Sequence, residues 1–142
     1  MLYNNIHNTP KYIITYHLNE LRYNIADRFT VKVSNIRSAG LGLFTNQNIN
    51  NNTILGEYFG TKHTLNKLFS SYIEKYIYRT SNDILINPDN YCLFRYINDG
   101  LTYYQNNTKF VEYDNYVLIV ATKDISYNTE LFINYGKEYW SI

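Results

Sequence analysis

Short apolar runs separated by polar turns make up most of the chain from residue 29 onward. Within several of these runs apolar and polar positions alternate with a period of two, which is typical of strands with one buried face. The predicted strands are at 29–33, 41–44, 53–58, 84–86, 116–121 and 129–134, with a further apolar segment at 91–97. Residues 64–78 instead carry apolar side chains at helical spacing and predict an amphipathic helix. Many short strands with one mid-chain helix predict a β-rich fold.

Residues 1–28 have a weaker pattern. Residues 12–16 could form a short strand, and residues 18–26 a weak helix with Leu18, Leu21 and Ile25 on one side. We interpret residues 1–28 as an N-terminal extension and residues 29–140 as the folded domain. The 142 residues of the chain are about the length of one domain, so a second domain is not expected.

Composition narrows the range of functions. The 13 basic and 12 acidic residues give a net charge of +1, which lacks the positive surplus that a dedicated nucleic-acid-binding domain needs. The single cysteine, Cys92, cannot close an intramolecular disulfide, and the three scattered histidines have no metal-ligand spacing, so we expect no metal site.

Neither a secretion signal nor an apolar run of roughly 20 residues occurs, and we expect an intracellular protein in a reducing compartment, without a membrane partner. The lack of a βαβ alternation and of a GxGxxG motif argues against a Rossmann-type fold.

Four short motifs follow one another along the chain. They are RSAGLGLF at 37–44, ILGEYFG at 54–60, RYIND at 95–99 and ELFINYG at 130–136. In order and spacing they resemble the SET-domain protein lysine methyltransferases, whose patterns include a GxG loop, E-Y-x-G, R-F-I-N-H and E-L-T-F-D-Y-G. The resemblance covers residues 29–140. It implies the SET (β-clip) fold, with several short-stranded sheets, one mid-chain helix and a C-terminal knot-like threading.

The resemblance also implies a cofactor, S-adenosylmethionine, and the residues that hold it. These are Ala39, Gly40, Leu41, Gly42, Asn98, Asp99, Tyr135 and Trp140. Simpler interpretations exist for some of them. Gly40 and Gly42 could be ordinary turn glycines, and Trp140 could fill the core near the C-terminus instead of covering the adenine.

Tyr135 is the catalytic residue that the resemblance implies, with Tyr58, Ile133 and Tyr139 lining the channel for the substrate lysine. With 17 tyrosines in the chain, packing is the alternative interpretation of any one of them. Methyl transfer to lysine needs a neutral amine, an aligned approach and surroundings that tolerate shifting positive charge. An apolar, tyrosine-lined channel lowers the pKa of a lysine by desolvation, which favours the neutral amine.

Asp99 departs from the family pattern, because the family has histidine at this position. The Pro-Asn pair that follows in the family is replaced by Gln105-Asn106-Asn107. A buried carboxylate is costly unless it is paired, so we expect Asp99 to accept hydrogen bonds from backbone amides or to pair with a cation such as Arg95. We expect cofactor binding to be retained and the enzyme to be slow, not inactive.

The compact form, without cysteine-rich flanks, is similar to the minimal SET proteins of large DNA viruses. Enrichment in Asn, Ile and Tyr, whose codons are AT-rich, agrees with such an origin. The resemblance implies a protein substrate with an exposed lysine, a histone tail first, and a homodimer in the host nucleus, the cytoplasm or the virion. The rival interpretation is a catalytically inactive SET-like binding or structural module.

Overall fold

The computed structural model describes residues 1–64, 76–102 and 105–136, and within them helices come first along the chain. A 3₁₀ helix at Tyr3–Asn8 leads into helix α1 at Lys11–Tyr23 and the short helix α2 at Ile25–Arg28. The described strands are β1 Phe29–Val33, β2 Leu41–Thr45, β3 Ile54–Glu57, β4 Gly60–Thr64, β5 Tyr78–Arg79, β6 Ile84–Pro88, β7 Thr108–Tyr113 and β8 Tyr116–Ala121. A second 3₁₀ helix, Leu93–Tyr96, separates β6 from β7. None of the helices in these ranges is long and apolar enough to cross a membrane.

The strands form three small antiparallel sheets, with the orders β1-β2, β3-β8-β7 and β4-β6-β5. The predicted β-rich fold of short-stranded sheets is therefore confirmed. The sequence pattern locates β1 and β8 at their observed bounds and β2, β3 and β6 to within a few residues.

Helix α1 corrects the prediction for residues 12–16, which are helical and not a strand. Ile14 and Leu18 lie one turn apart and both point inward, so burial of a helical face decides the conformation of this short apolar run. The helix predicted at 18–26 is confirmed in part, because α1 and α2 cover it with a break at Asn24.

Three further predictions need correction. Residues 129–134 form only isolated bridges, Phe44 with Glu130 and Asn98 with Phe132, and not a continuous strand. The apolar segment 91–97 contains a 3₁₀ helix. The helix predicted at 64–78 is wrong at its ends, since Thr64 closes β4 and Tyr78 opens β5, and its interior lies outside the described residues.

Two apolar clusters share β3 and β8, because successive side chains of a strand point to opposite faces. Ile54 and Leu118 face the N-terminal helices and pack with Ile14 and Leu18, whereas the neighbouring Ile119 belongs to the central cluster. The N-terminal segment therefore covers the outer face of the β3-β8-β7 sheet. An ion pair of 3.0 Å between Arg22 and Glu57 also joins α1 to the end of β3.

The C-terminal segment 130–136 lies between two earlier parts of the chain. The amide of Leu131 donates to the Leu43 carbonyl at 2.8 Å, and the amide of Ile133 donates to the Asn98 carbonyl at 3.0 Å. The segment thus connects β2 with the residues that follow the second 3₁₀ helix. The expected knot-like threading involves the C-terminal residues, and its last part, 137–142, lies outside the described residues. The described residues contain only the placement of 130–136 between these two parts of the chain.

Candidate functional site

The two glycines of the GxG motif lie where the loop meets β2, with Gly40 at the end of the loop and Gly42 inside the strand, and glycine is needed at each position for a different reason. Gly40 has a φ of +75°, in the left-handed region that favours glycine, and the position of its missing Cβ has no atom within 4 Å. A Cβ on Gly42 would collide with the carboxylate of Glu130. The first glycine therefore presents an open stretch of backbone, while the second makes room for a side chain of the protein itself.

Asn98 links this loop to the C-terminal segment. Its side-chain amide donates to the carbonyl of Leu41 at 2.9 Å, and its own carbonyl accepts the amide of Ile133 at 3.0 Å. Asn98 is 9% exposed, so its side-chain bond is largely sheltered from water. The structure thereby brings together residues from three of the four motifs.

Asp99 is buried, and its carboxylate is satisfied by backbone amides. One oxygen accepts the amide of Leu101 at 2.6 Å, and the other accepts the amide of Tyr135 at 3.0 Å. The expectation that backbone amides would satisfy this carboxylate is confirmed. Arg95, the alternative partner, donates to the side chain of Asn90 at 2.7 Å and lies 4.5 Å above the ring of Tyr76.

Tyr135 lines a small, mostly aromatic pocket, which we call the channel. Its hydroxyl donates to the carbonyl of Ile97 at 2.7 Å. The channel encloses about 40 Å³ and is lined by Tyr58, Tyr76, Ile77, Tyr78, Phe94, Arg95, Ile97, Phe110, Ile133 and Tyr135. The volume exceeds the roughly 10–15 Å³ that a single water needs but admits only a slender group. Three of the predicted residues, Tyr58, Ile133 and Tyr135, therefore meet around one channel.

Two phenol groups of the channel, those of Tyr58 and Tyr78, are buried against other aromatic side chains. The hydroxyl of Tyr58 donates to the carbonyl of Tyr76 at 2.5 Å. The ring of Phe110 lies edge-on to Tyr58, with centroids 5.6 Å apart, and 4.6 Å from Tyr78. Burial raises the pKa of Tyr58 well above its ordinary value, with a smaller effect from Cys92, and burial likewise raises the pKa of Tyr78. The phenols of Tyr58 and Tyr78 are therefore neutral at neutral pH, and the guanidinium of Arg95 is a charged group in the channel wall.

Sequence reasoning missed Tyr76, Tyr78 and Phe110 as channel residues. Phe110 lies in β7, where the alternation of TKFVEY is a signal that could have identified the strand. Tyr76 and Tyr78 have no local signal among 17 tyrosines, because strand pairing and packing bring them to the channel. The predicted site residues Tyr139 and Trp140 lie outside the described residues.

Residues 105–107, which replace the family's Pro-Asn pair, also hold the C-terminal segment in place. Asn107, 6% exposed, accepts the amide of Phe132 at 2.8 Å and donates to the carbonyl of Glu130 at 3.0 Å. Asn106 accepts the amide of Gly100 at 2.9 Å. The Asn107 side chain thus makes backbone hydrogen bonds of the kind that a neighbouring strand would make. The two asparagines hold the backbone on either side of the contact between Asp99 and Tyr135.

Comparison with known proteins agrees with this geometry. The family model described as SET domain matches residues 40–136. Among solved structures, the methyltransferase domain of human PR domain-containing protein 2 is similar to this chain, with a TM-score of 0.63 and 15% sequence identity, and the match covers 82% of each chain. At this identity the likeness shows the fold. No curated protein sequence matches the chain.

Proposed function

The chain belongs to the SET domain family, and we propose that it is a protein-lysine N-methyltransferase that uses S-adenosylmethionine. The observation that carries the proposal is the narrow tyrosine-lined channel, at which two of the family motifs supply Tyr58 and Tyr135. A channel of this shape admits an unbranched side chain and excludes bulkier ones. Lysine is the amino acid whose long, unbranched side chain ends in a nucleophilic nitrogen.

The channel prepares the lysine for attack by desolvation. Its wall consists of aromatic and aliphatic side chains, with Phe94, Phe110 and Ile133 among them. An ammonium group that enters such surroundings loses hydration, and its pKa falls, so the neutral amine becomes more populated. The cation of Arg95, which also lines the channel, acts in the same direction because like charges repel.

Tyr135 supplies a fixed oxygen in the channel wall. Its proton is directed to the Ile97 carbonyl, so the lone pairs of the phenol oxygen remain available as acceptors. That oxygen can accept a hydrogen bond from the amine and orient the nitrogen lone pair. It also stabilises the positive charge that develops on nitrogen during transfer.

The residues around Asn98 fit the proposed cofactor. When bound, S-adenosylmethionine supplies an electrophilic methyl group on a sulfonium centre. Leu41 and Leu101 are 48% and 68% exposed, and Asn98 and Asp99 bond directly to their backbones. Exposed apolar side chains beside anchored polar groups suit a ligand with an adenine ring and a polar amino-acid end.

We assign the cofactor to the open backbone of the GxG loop together with Asn98 and Asp99. In this proposal Ala39, Gly40, Leu41 and Gly42 contribute mainly backbone groups, and Trp140 covers the adenine. The contacts of Gly42 with Glu130, of Asn98 with Ile133 and of Asp99 with Tyr135 support the assignment, because the C-terminal segment also carries the proposed catalytic tyrosine.

Histone tails are the first substrates to test. Their lysines are carried on extended, exposed chains, which a channel of about 40 Å³ requires. Isotope-labelled S-adenosylmethionine incubated with mixed histones, followed by mass spectrometry, maps any methylated lysine. Labelling of lysines in other proteins but not in histones would support the methyltransferase activity and reject histones as its substrates.

The rival function is an inactive SET-like module. It is considered because Asp99 stands where the family has histidine. Calorimetric titration with S-adenosylmethionine separates the two. We expect saturable binding that is weakened in Asn98→Ala and unchanged in Asn19→Ala, an exposed position on α1. No heat of binding at millimolar cofactor would support the inactive module.

A further inference from the structure

Glu130 is a buried carboxylate that holds the loop before β2. It is 1% exposed. One oxygen accepts the hydroxyl of Ser34 and the other accepts the amide of Asn35, both at 2.7 Å. The Ser34 oxygen in turn accepts the amide of Ile36 at 3.0 Å. Glu130 therefore anchors the first residues of the loop to the C-terminal segment, in addition to the loop's own backbone bond from the Ser34 amide to the Gly40 carbonyl at 2.9 Å.

The backbone of Glu130 is anchored independently of its side chain. Its carbonyl accepts the side-chain amide of Asn107, and the residue forms a bridge with Phe44 in β2. The carboxylate thus projects from a fixed point of the C-terminal segment toward the loop. The same segment carries Tyr135, which is held separately at residues 97–99.

The loop itself has little packing to hold it. Most of residues 35–40 are exposed, and Ser38 and Gly40 adopt φ values of 68° and 75°. Segments with few buried apolar contacts open easily unless hydrogen bonds restrain them. The carboxylate of Glu130 supplies such bonds, and Gly42 leaves the space that it occupies.

We infer that Glu130 is a positioning residue that sets the conformation of residues 34–42 for the cofactor. This inference rests on the proposed function, since it assigns the cofactor to that loop. Burying a carboxylate among neutral donors is less favourable than burying an apolar side chain. An apolar side chain of the same size would fill the space at position 130 without this cost. A carboxylate does more, because its two oxygens accept hydrogen bonds from two consecutive loop residues.

The variant Glu130→Gln tests the inference with the smallest change of shape. Its single oxygen can accept the Asn35 amide, but its NH₂ group then faces the Ser34 hydroxyl, whose proton loses its acceptor and must turn away. The bonds that remain are neutral and weaker than those to a carboxylate. The loop is loosened while Tyr135 keeps both of its own hydrogen bonds. We expect the KM for S-adenosylmethionine to rise about tenfold with kcat within about threefold of the wild type, because ground-state and transition-state binding weaken together.

A merely structural role predicts a different result. It would lower the melting temperature and the active fraction, so kcat would fall while the KM for the cofactor stayed constant. Asp124→Asn is the matched control, because Asp124 accepts the amide of Asn51 at 2.7 Å and holds a different turn. Ser34→Ala removes one donor and retains the carboxylate, so it should raise the same KM by a smaller factor even if Glu130 variants fold poorly.

Gly42→Ala supplies an independent measurement. The added Cβ displaces the Glu130 carboxylate, so the variant should raise the cofactor KM much as Glu130→Ala does. In the double variant the two increases should not multiply, since each removes the same contact. Multiplicative effects, or an unchanged cofactor KM in Glu130→Gln, would overturn the inference while the proposed function stands. A wild type that binds no S-adenosylmethionine would instead reject the proposed function and the inference together.

Discussion

The carboxylate of Asp99 accepts the backbone amide of Tyr135 at 3.0 Å, and the hydroxyl of that tyrosine donates to the carbonyl of Ile97 at 2.7 Å. Tyr135 is therefore held at its backbone and at its phenol oxygen by the same short segment. These two hydrogen bonds, at opposite ends of the residue, restrain the orientation of its ring. A catalytic oxygen needs such a fixed position, because small displacements of a positioned group are costly to rate.

Asp99→Ala should weaken this arrangement. Removal of the carboxylate leaves the part-buried amides of Leu101 and Tyr135 without that acceptor, at a combined cost of about 1–3 kcal/mol because water can replace part of the lost bonding. We expect a loss of this order in the free energy of unfolding, measured with urea, together with a lower kcat. Asp99→Asn, which keeps one acceptor oxygen, should lose less. Unchanged stability in Asp99→Ala would show that the two hydrogen bonds do not support the site.

Alkaline pH should destabilise the folded protein through Cys92. Burial raises the pKa of this thiol from 9.0 to about 12. The folded state therefore retains the proton at pH values where the unfolded chain has lost it, and stability falls as the pH rises above about 9. The slope is about 1.4 kcal/mol per pH unit for one such group.

Urea unfolding at pH 8, 9 and 10 measures this slope, and Cys92→Ala is the comparison. The variant is less stable at every pH because it leaves a small cavity, but its stability should depend less on pH. Parallel curves for the wild type and the variant would contradict the role of the thiol. Above pH 10 the raised pKa values of Tyr58 and Tyr78 add further slope in the same direction.

The sequence was most informative where alternation and burial coincide. Residues 29–33 alternate clearly, and β1 has the predicted bounds. Residues 12–16 form an apolar run too short to distinguish a helix from a strand, and packing of Ile14 against Leu118 decides it. Strand β4, Gly60–Thr64, is mostly polar and forms because it pairs with β6.

The site could be predicted only where its residues lie in local motifs. Local motifs point to Asn98, Tyr58 and Tyr135, which the structure brings to the candidate site, whereas Phe110 reaches the channel through the pairing of β7 with β8. The positioning role of Glu130 depends on its contact with Ser34, which lies far away in sequence. No single-sequence pattern encodes such contacts.

The N-terminal segment should contribute strongly to stability. Ile14 is fully buried against the face of the β3-β8-β7 sheet, and Ile14→Ala should cost about 2–5 kcal/mol of unfolding free energy. Tyr12 lies two residues earlier in α1 and is 75% exposed, so Tyr12→Ala should change the unfolding free energy by less than about 0.5 kcal/mol. Equal effects of the two variants in urea unfolding would mean that α1 does not pack on the sheet in solution.

Tyr135→Phe should separate catalysis from cofactor binding. The change removes the hydroxyl and keeps the ring and the Asp99 hydrogen bond to the backbone. We expect turnover to fall about 100- to 1,000-fold, the scale for loss of one preorganised polar group, with calorimetric cofactor affinity retained. Tyr127→Phe, at a position that is 66% exposed, is the control and should keep full turnover. Near-normal turnover in Tyr135→Phe would remove this residue from the catalytic role.

Transfer of an isotope-labelled methyl group from S-adenosylmethionine to a lysine, read by mass spectrometry, tests the central claim most directly. Wild-type protein is incubated with labelled cofactor and a histone-tail peptide mixture, beside the same peptides with every lysine replaced by arginine. The account predicts labelled methyl groups on lysine nitrogen and none on the arginine peptides. No transfer to these or to any other lysine-containing protein at saturating cofactor would contradict it.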